Sequence, residues 1–140
     1  MRDVQRVEQG SAPDALTRAF TYAREGLPKH YRLLRPADFS TVLRHGRKTR
    51  DRMFAVFAKP NALPHVRIGL VVSRKVSFKA VVRNRVKRHM RESARRHHDT
   101  LKGVDLVVIA QGPAATAEPA ELRTSLERHW ISIIEQCRDS

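Results

Sequence analysis

Apolar positions in this chain follow two rhythms, and the alternation between them divides it into elements. Met53 to Lys59 (MFAVFAK) and Val66 to Ser73 (VRIGLVVS) are short apolar runs separated by Pro60-Asn61-Ala62-Leu63-Pro64. β-Branched and aromatic residues bounded by prolines predict two strands joined by a turn, the second more buried. Val104 to Ala110 (VDLVVIA) predicts a further short buried strand, and Arg47 to Asp51 a weaker one.

Helical spacing takes over elsewhere. Pro36 to Gly46 predicts a short helix, with Pro36 in its first turn and Gly46 as its stop. Phe39 and Leu43 fall at i,i+4 and share one face. Ala80 to His98 predicts a second, strongly basic helix. Pro119 to Cys137 predicts a third, with Leu122, Leu126, Trp130, Ile133 and Cys137 along one stripe and Thr116 as N-cap.

These elements predict an α+β fold: a single sheet of about four strands packed with helices, in the order α-β-β-(β)-α-β-α. Residues 1–28 are mixed and polar and end in Gly26-Leu27-Pro28. They read as a flexible extension with a transient helix over Ala12 to Arg24, leaving 29–140 as one domain. No internal repeat or low-complexity region appears.

Charge sharpens this picture. The 140 residues carry 28 Lys+Arg against 14 Asp+Glu, a net +14. Between Lys29 and Ala110 stand 21 bases and five acids, a net of +16; the remainder, seven bases and nine acids, nets −2. The positive field belongs to one continuous segment, as expected of a polyanion-binding domain.

The stretch Arg83-Asn84-Arg85-Val86-Lys87-Arg88-His89-Met90-Arg91 concentrates that field. On a helix, Arg83, Asn84, Lys87, Arg88, Arg91 and Arg95 fall within an arc of about 140°. Val82, Val86, Met90 and Ser93 lie opposite and can dock on a sheet, while Arg85 and Arg96 sit apart, near Glu92. Like charges at i,i+4 each oppose the helix by roughly 0.2–0.5 kcal/mol. A polyanion reverses that penalty through counterion release. A solvated face is the plainer reading of a charge run. Seven bases with one acid over fourteen residues, on a helix with a dry side, outweigh it.

Several function classes drop out. No apolar run approaches the roughly 18 residues of a membrane span, and the N-terminus lacks the apolar core of a secretory signal. One cysteine, Cys137, allows no intrachain disulfide and fits a reducing cytoplasm. No Walker loop or dinucleotide fingerprint is present. The acids Asp38, Asp51, Glu92, Asp99 and Asp105 fall in different elements, so no carboxylate pair is placed to hold catalytic metal ions. His97-His98-Asp99 reads as a helix-end polar cluster rather than a metal site, because adjacent helical residues diverge by about 100°. His89 reads as packing or as an RNA contact. A basic helix between two strands also differs from a helix-turn-helix reader of DNA.

Arg67-Ile68-Gly69-Leu70-Val71-Val72-Ser73-Arg74-Lys75 followed by Ala80-Val81-Val82-Arg83-Asn84-Arg85-Val86-Lys87-Arg88 resembles the protein subunit of bacterial ribonuclease P. Phe39-Ser40-Thr41-Val42-Leu43-Arg44-His45-Gly46 resembles that family's first helix, and Val104 to Ala110 its last strand. The resemblance spans about Lys29 to Cys137. It implies an RNA partner that performs catalysis, in a complex that removes the 5′ leader of precursor tRNA. It also implies a left-handed crossover between parallel strands, against the hand general topology favours in about 98% of cases.

Carried onto these positions, the resemblance implies that Arg83, Asn84, Arg85, Lys87, Arg88 and Arg91 meet the catalytic RNA; Arg95, on the same arc of the helix, is expected to join them. Arg74 and Lys75 add charge at the edge of that surface. Phe39, Leu43 and Phe57 line a cleft for the leader. The resemblance further implies that the chain holds no catalytic residue, metal or cofactor of its own and that Mg2+ is organised by the RNA. The expected partners are the catalytic RNA and precursor tRNA, with no membrane and no DNA. Leu43 and Phe57 stand where relatives often carry an aromatic and a tyrosine, and the linker Val76-Ser77-Phe78-Lys79 lacks a glycine that some members have. Read without the family, Phe39, Leu43 and Phe57 are as consistent with core. The alternative function is a non-enzymatic RNA-binding or ribosome-associated protein.

Overall fold

A computed structural model describes Arg32 and residues 35–138. Helix α1 spans Pro36–His45, followed by strands β1 (Arg47–Arg50), β2 (Phe54–Pro60) and β3 (Arg67–Val71). Helix α2 spans Ala80–Arg96, β4 spans Val104–Ala110, a 3-10 turn covers Gly112–Ala115, and α3 spans Pro119–Arg138. The expected extension over residues 1–28, with its helix over 12–24, lies outside the described residues.

The α+β architecture is as expected. The strands form one four-stranded sheet in the order β1-β2-β4-β3. β2 runs antiparallel to both neighbours, and β3 lies parallel beside β4. Helix α2 makes the crossover that a parallel pair requires. The weak strand at Arg47–Arg50 is real: it is a polar edge, paired through Lys48 opposite Phe57.

Alternation along the strands divides the sheet into two working faces. Phe54, Val56 and Ala58 of β2, Leu106, Val108 and Ala110 of β4, and Ile68 and Leu70 of β3 turn toward α2 and α3. There they meet Val86, Met90 and Ala94 from α2 and Leu122, Leu126, Trp130 and Ile133 from α3. The α3 stripe is therefore core, with Cys137 half-buried at its end. Trp130 Nε1 donates to Ser93 Oγ at 2.9 Å, which satisfies both polar groups inside the helix–helix seam.

The opposite face carries Phe57, Val107, Gly69, Val71 and Ile109, covered in part by Phe39 and Val42 of α1. Both faces of β2 and β4 are apolar, which is why their sequences read as near-continuous runs.

Several boundaries shift for local reasons. Met53 lies outside β2 because Asp51 Oδ1 accepts hydrogen bonds from the Met53 and Phe54 N–H groups, both at 2.8 Å, capping the β1–β2 turn. β3 ends at Val71 because the chain turns: Val76 N–H donates to Ser73 O at 3.0 Å. α2 ends at Arg96, and His97 N–H closes back on Ser93 and Ala94.

Thr116 is not the N-cap of α3. It caps the C-terminal end of the preceding 3-10 turn, while Glu121 Oε1 accepts from the Glu118 N–H at 2.9 Å. That is the returning half of a capping box, with the carboxylate favourable at a helix start.

Candidate nucleic-acid interface

The basic helix packs its dry side on the sheet and α3, and the rest of its circumference sets what each cation can do. Asn84, Arg88, Arg95 and Arg96 are exposed, as are Arg74 and Lys75 in the turn before the helix. Arg83, Arg85 and Lys87 are half-buried. Arg83 Nη1 donates to Ser77 O at 2.9 Å, fastening the first turn of α2 to the linker.

Arg85 does not pair with Glu92. Its Nη2 donates instead to Ala115 O at 2.6 Å, tying α2 to the 3-10 turn ahead of α3. Arg91 departs further from the expected outer stripe, being only 8% exposed. Ala94, three residues on, is fully buried with Val86 and Met90, so the dry side of the helix is wider than the sequence pattern indicates. The outward surface of α2 therefore centres on Asn84, Arg88 and Arg95.

His89 is half-buried beside this surface. Burial holds its imidazole below the ordinary value, and Arg85, Arg88 and Arg123 push the same way against the opposing pull of Glu92. It is neutral at pH 7, so it adds hydrogen-bonding capacity without further charge.

The second surface lies across the sheet. The Phe39 ring occupies the space over Gly69, where an added Cβ would stand 2.6 Å from Phe39 Cε1. Val42 and Val107 are buried beneath, with Phe57, Val71 and Ile109 partly open around them. Leu43 points outward at 41% exposure, so the shared face expected for Phe39 and Leu43 splits into a floor residue and a rim residue. Lys48 Nζ stands 5.5 Å from the Phe57 ring centroid, within cation–π range. Phe39 and Phe57 thus come together on one face of the sheet, with Leu43 exposed on the same helix and outside their cluster, and α2 with its cations lies against the other face.

One end of this trough is fixed by a polar clamp that sequence reasoning missed. Arg67 Nε and Nη2 donate to the two Asp105 oxygens at 2.8 and 2.6 Å. Asn61 Nδ2 also donates to Asp105 Oδ1 at 2.9 Å, and Asp38 of α1 lies 3.7 Å from Arg67 Nη1. The bidentate bond to Asp105 raises the Arg67 pKa further, despite desolvation. Arg67 and Asp105 are register partners on adjacent strands, a relation visible only once β3 and β4 are paired.

Asp51, Ser125 and His129 also converge. Ser125 Oγ donates to Asp51 Oδ2 at 2.5 Å, and His129 Nε2 lies 3.2 Å from the same oxygen without hydrogen-bond alignment. The Ser125 hydroxyl points at the carboxylate and not at the imidazole, whose Nδ1 lies 3.2 Å from Thr49 Oγ1 instead. His97 Nε2 faces Glu127 of α3 at 3.9 Å, while His98 Nε2 faces Asp99 at 3.4 Å. The two adjacent imidazoles therefore diverge. Among the described residues no three His, Cys, Asp or Glu side chains gather to hold a metal ion.

A cationic helix between two strands, a trough floored by aromatic and aliphatic side chains, and this strand order can be compared with known proteins. The Ribonuclease P family model matches residues 27–133. The chain belongs to the ribonuclease P protein family. The ribonuclease P protein component of Methylococcus capsulatus is 41% identical over 115 residues, covering 82% of this chain and 90% of that one. The component of Nitrosococcus oceani is 38% identical over 116 residues, covering 82% and 97%.

Solved structures agree. The ribonuclease P protein of Staphylococcus aureus superposes with TM-score 0.67 at 35% identity, covering 74% of this chain and 94% of that one. That of Thermotoga maritima gives TM-score 0.64 at 31% identity, covering 71% and 94%. As a ribonuclease P protein, the chain is part of a ribonucleoprotein endonuclease of tRNA 5′ maturation with an RNA partner. Among the described residues no helix is long and apolar enough to cross a membrane.

Proposed function

We propose that this ribonuclease P protein holds two RNAs at once, one on each side of its sheet. The exposed face of α2, with Asn84, Arg88 and Arg95 at its centre and Arg74, Lys75, Arg83, Arg85 and Lys87 around it, lies on the catalytic RNA. Arg91 supports that helix more than it contacts RNA. The trough of Phe39, Phe57 and rim residue Leu43, with Lys48 over the aromatic ring, takes the single-stranded 5′ leader of precursor tRNA.

The observation that carries this reading is the alternation of β2 and β4, which places an apolar floor opposite the face bearing the cationic helix. Cations neutralise phosphates without regard to sequence, whereas aromatic rings contribute about 1–3 kcal/mol for each stacked base. A partner spread over both surfaces therefore gains affinity from one and selection of unpaired strand from the other.

Bond cleavage belongs to the RNA in this reading. Mg2+ is held chiefly by RNA phosphates, and the protein raises its effective affinity by shaping the interface. The site of action is the cytoplasm, where precursor tRNA is processed.

The test is reconstitution of the full chain with a catalytic RNA at low Mg2+ and precursor tRNA. Cleavage should require both components, with the protein alone inert. The complex should bind precursor tRNA more tightly than mature tRNA. Equal binding of the two would end the leader assignment.

A further inference from the structure

Phe78, in the loop before α2, is 87% exposed and Val81, three residues on, is 71% exposed, more than any other large apolar side chain among the described residues. The loop that carries Phe78 is held on both sides. Val76 is buried in the core, and Ser77 O accepts from Arg83 Nη1 at 2.9 Å. Ser77 Oγ accepts from the Lys79 N–H at 3.1 Å. The ring is presented by a fixed turn.

Its surroundings are cationic throughout. Arg74, Lys75 and Lys79 are exposed in the same loop, and Asn84 and Arg88 follow on the outer side of α2. From Arg52 to Arg91 the sequence contains no Asp or Glu. Burying a phenylalanine contributes roughly 1.5–3 kcal/mol, so leaving one in water forgoes that much unless a partner covers it. An apolar protein partner would have to bring its own acids to such a patch. A lipid surface calls for a wide apolar face, and the outer side of α2 is polar. An unpaired nucleotide supplies both requirements together, a flat π-face and a phosphate on each side.

We infer that Phe78, with Val81 beside it, is a stacking platform for an unpaired base of the catalytic RNA, flanked by Arg74, Lys75 and Lys79 on its phosphates. The inference rests on the assignment of α2 to that RNA. The platform lies at the start of α2, in the linker that pins the helix to the sheet. It adds a contact selective for unpaired bases to an otherwise sequence-blind cationic surface.

The test measures affinity of the full chain for the catalytic RNA alone, across a salt series. Phe78→Ala should weaken binding about 5- to 150-fold, the span of one stacked base. The slope of log affinity against log salt should not change, because no cation is lost. Phe78→Leu keeps apolar bulk without the π-face and should bind like the Ala variant, whereas Phe78→Trp should restore or exceed the parent affinity. Emission from the Trp variant should be quenched by RNA, against a parent whose one tryptophan, Trp130, is 1% exposed.

Parent affinity in Phe78→Ala or Phe78→Leu overturns the platform. So does a loss seen only in precursor-over-mature tRNA preference, which would move Phe78 to the leader. So does loss in Phe78→Ala of binding to phosphatidylserine vesicles with RNA affinity intact. A parent chain that fails to support cleavage counts against the α2 assignment itself. A functional parent with an indifferent Phe78→Ala counts against this inference alone.

Discussion

The ring of Phe39 fills the space a side chain at position 69 would need, so helix α1 meets strand β3 at the one residue without a Cβ. Gly69→Ala places a methyl group against that ring and forces it outward. Overpacking of this kind costs about 1–3 kcal/mol. Thermal unfolding should show the loss. If the trough holds the leader, preference for precursor over mature tRNA should fall as well.

Arg88 and Arg91 are three residues apart and should behave differently. Arg88→Ala should leave thermal stability unchanged and weaken assembly with the catalytic RNA. It should also reduce the salt slope by about 0.7–0.9 if one phosphate contact is lost. Arg91→Ala should lower the unfolding temperature, since its side chain is enclosed. Equal stability of the two variants would show that the enclosure of Arg91 adds nothing to the fold.

Phe57→Ala should reduce leader discrimination while leaving affinity for the catalytic RNA nearly unchanged, because the two surfaces are on opposite faces. Phe57 is only partly buried. A large stability loss with unchanged discrimination would assign it to the core.

Asp51 gives the fold an acid limit. Burial alone would raise its pKa. Hydrogen bonds from Ser125 Oγ and from the Phe54 and Met53 N–H groups, with His129 nearby, outweigh burial and hold it below its ordinary 3.8. A depressed folded value means the unfolded chain binds the proton more readily. The contribution is therefore complete above the ordinary value and is lost as pH falls through the folded one. Urea unfolding followed from pH 6 downward should show the decline, and Asp51→Asn should remove this part of it. Ser125→Ala should move the midpoint of the decline upward.

Much of the architecture could be read from period alone. The bounds of β4 are legible because seven apolar-rich residues between Gly103 and Gly112-Pro113 permit little else. The α3 stripe repeats at helical spacing and is buried almost as written. The orientation of α2 was less legible, because a small residue such as Ala94 carries almost no signal of which side it faces. Its burial, like that of Arg91, is not marked in the apolar pattern.

The α3 cap was legible but misassigned: Glu118-Pro119-Ala120-Glu121 holds the returning carboxylate, and a nearby threonine was the more obvious candidate. The Arg67–Asp105 clamp could not be read at all. It joins residues 38 positions apart, and only strand pairing brings them together. The same holds for the opposition of trough and cationic helix, which follows from parity along β2 and β4.

That parity makes the sheet a two-sided printing plate. Odd positions from 105 to 109 on β4 print one image and even positions the other, so inserting one residue just before Val104, with the preceding loop held in place, would exchange them. The trough would receive Leu106 and Val108, and the packed interior would receive Asp105. Length in this strand is therefore under tighter constraint than identity: a conservative swap blurs one image, whereas a single added residue ruins both.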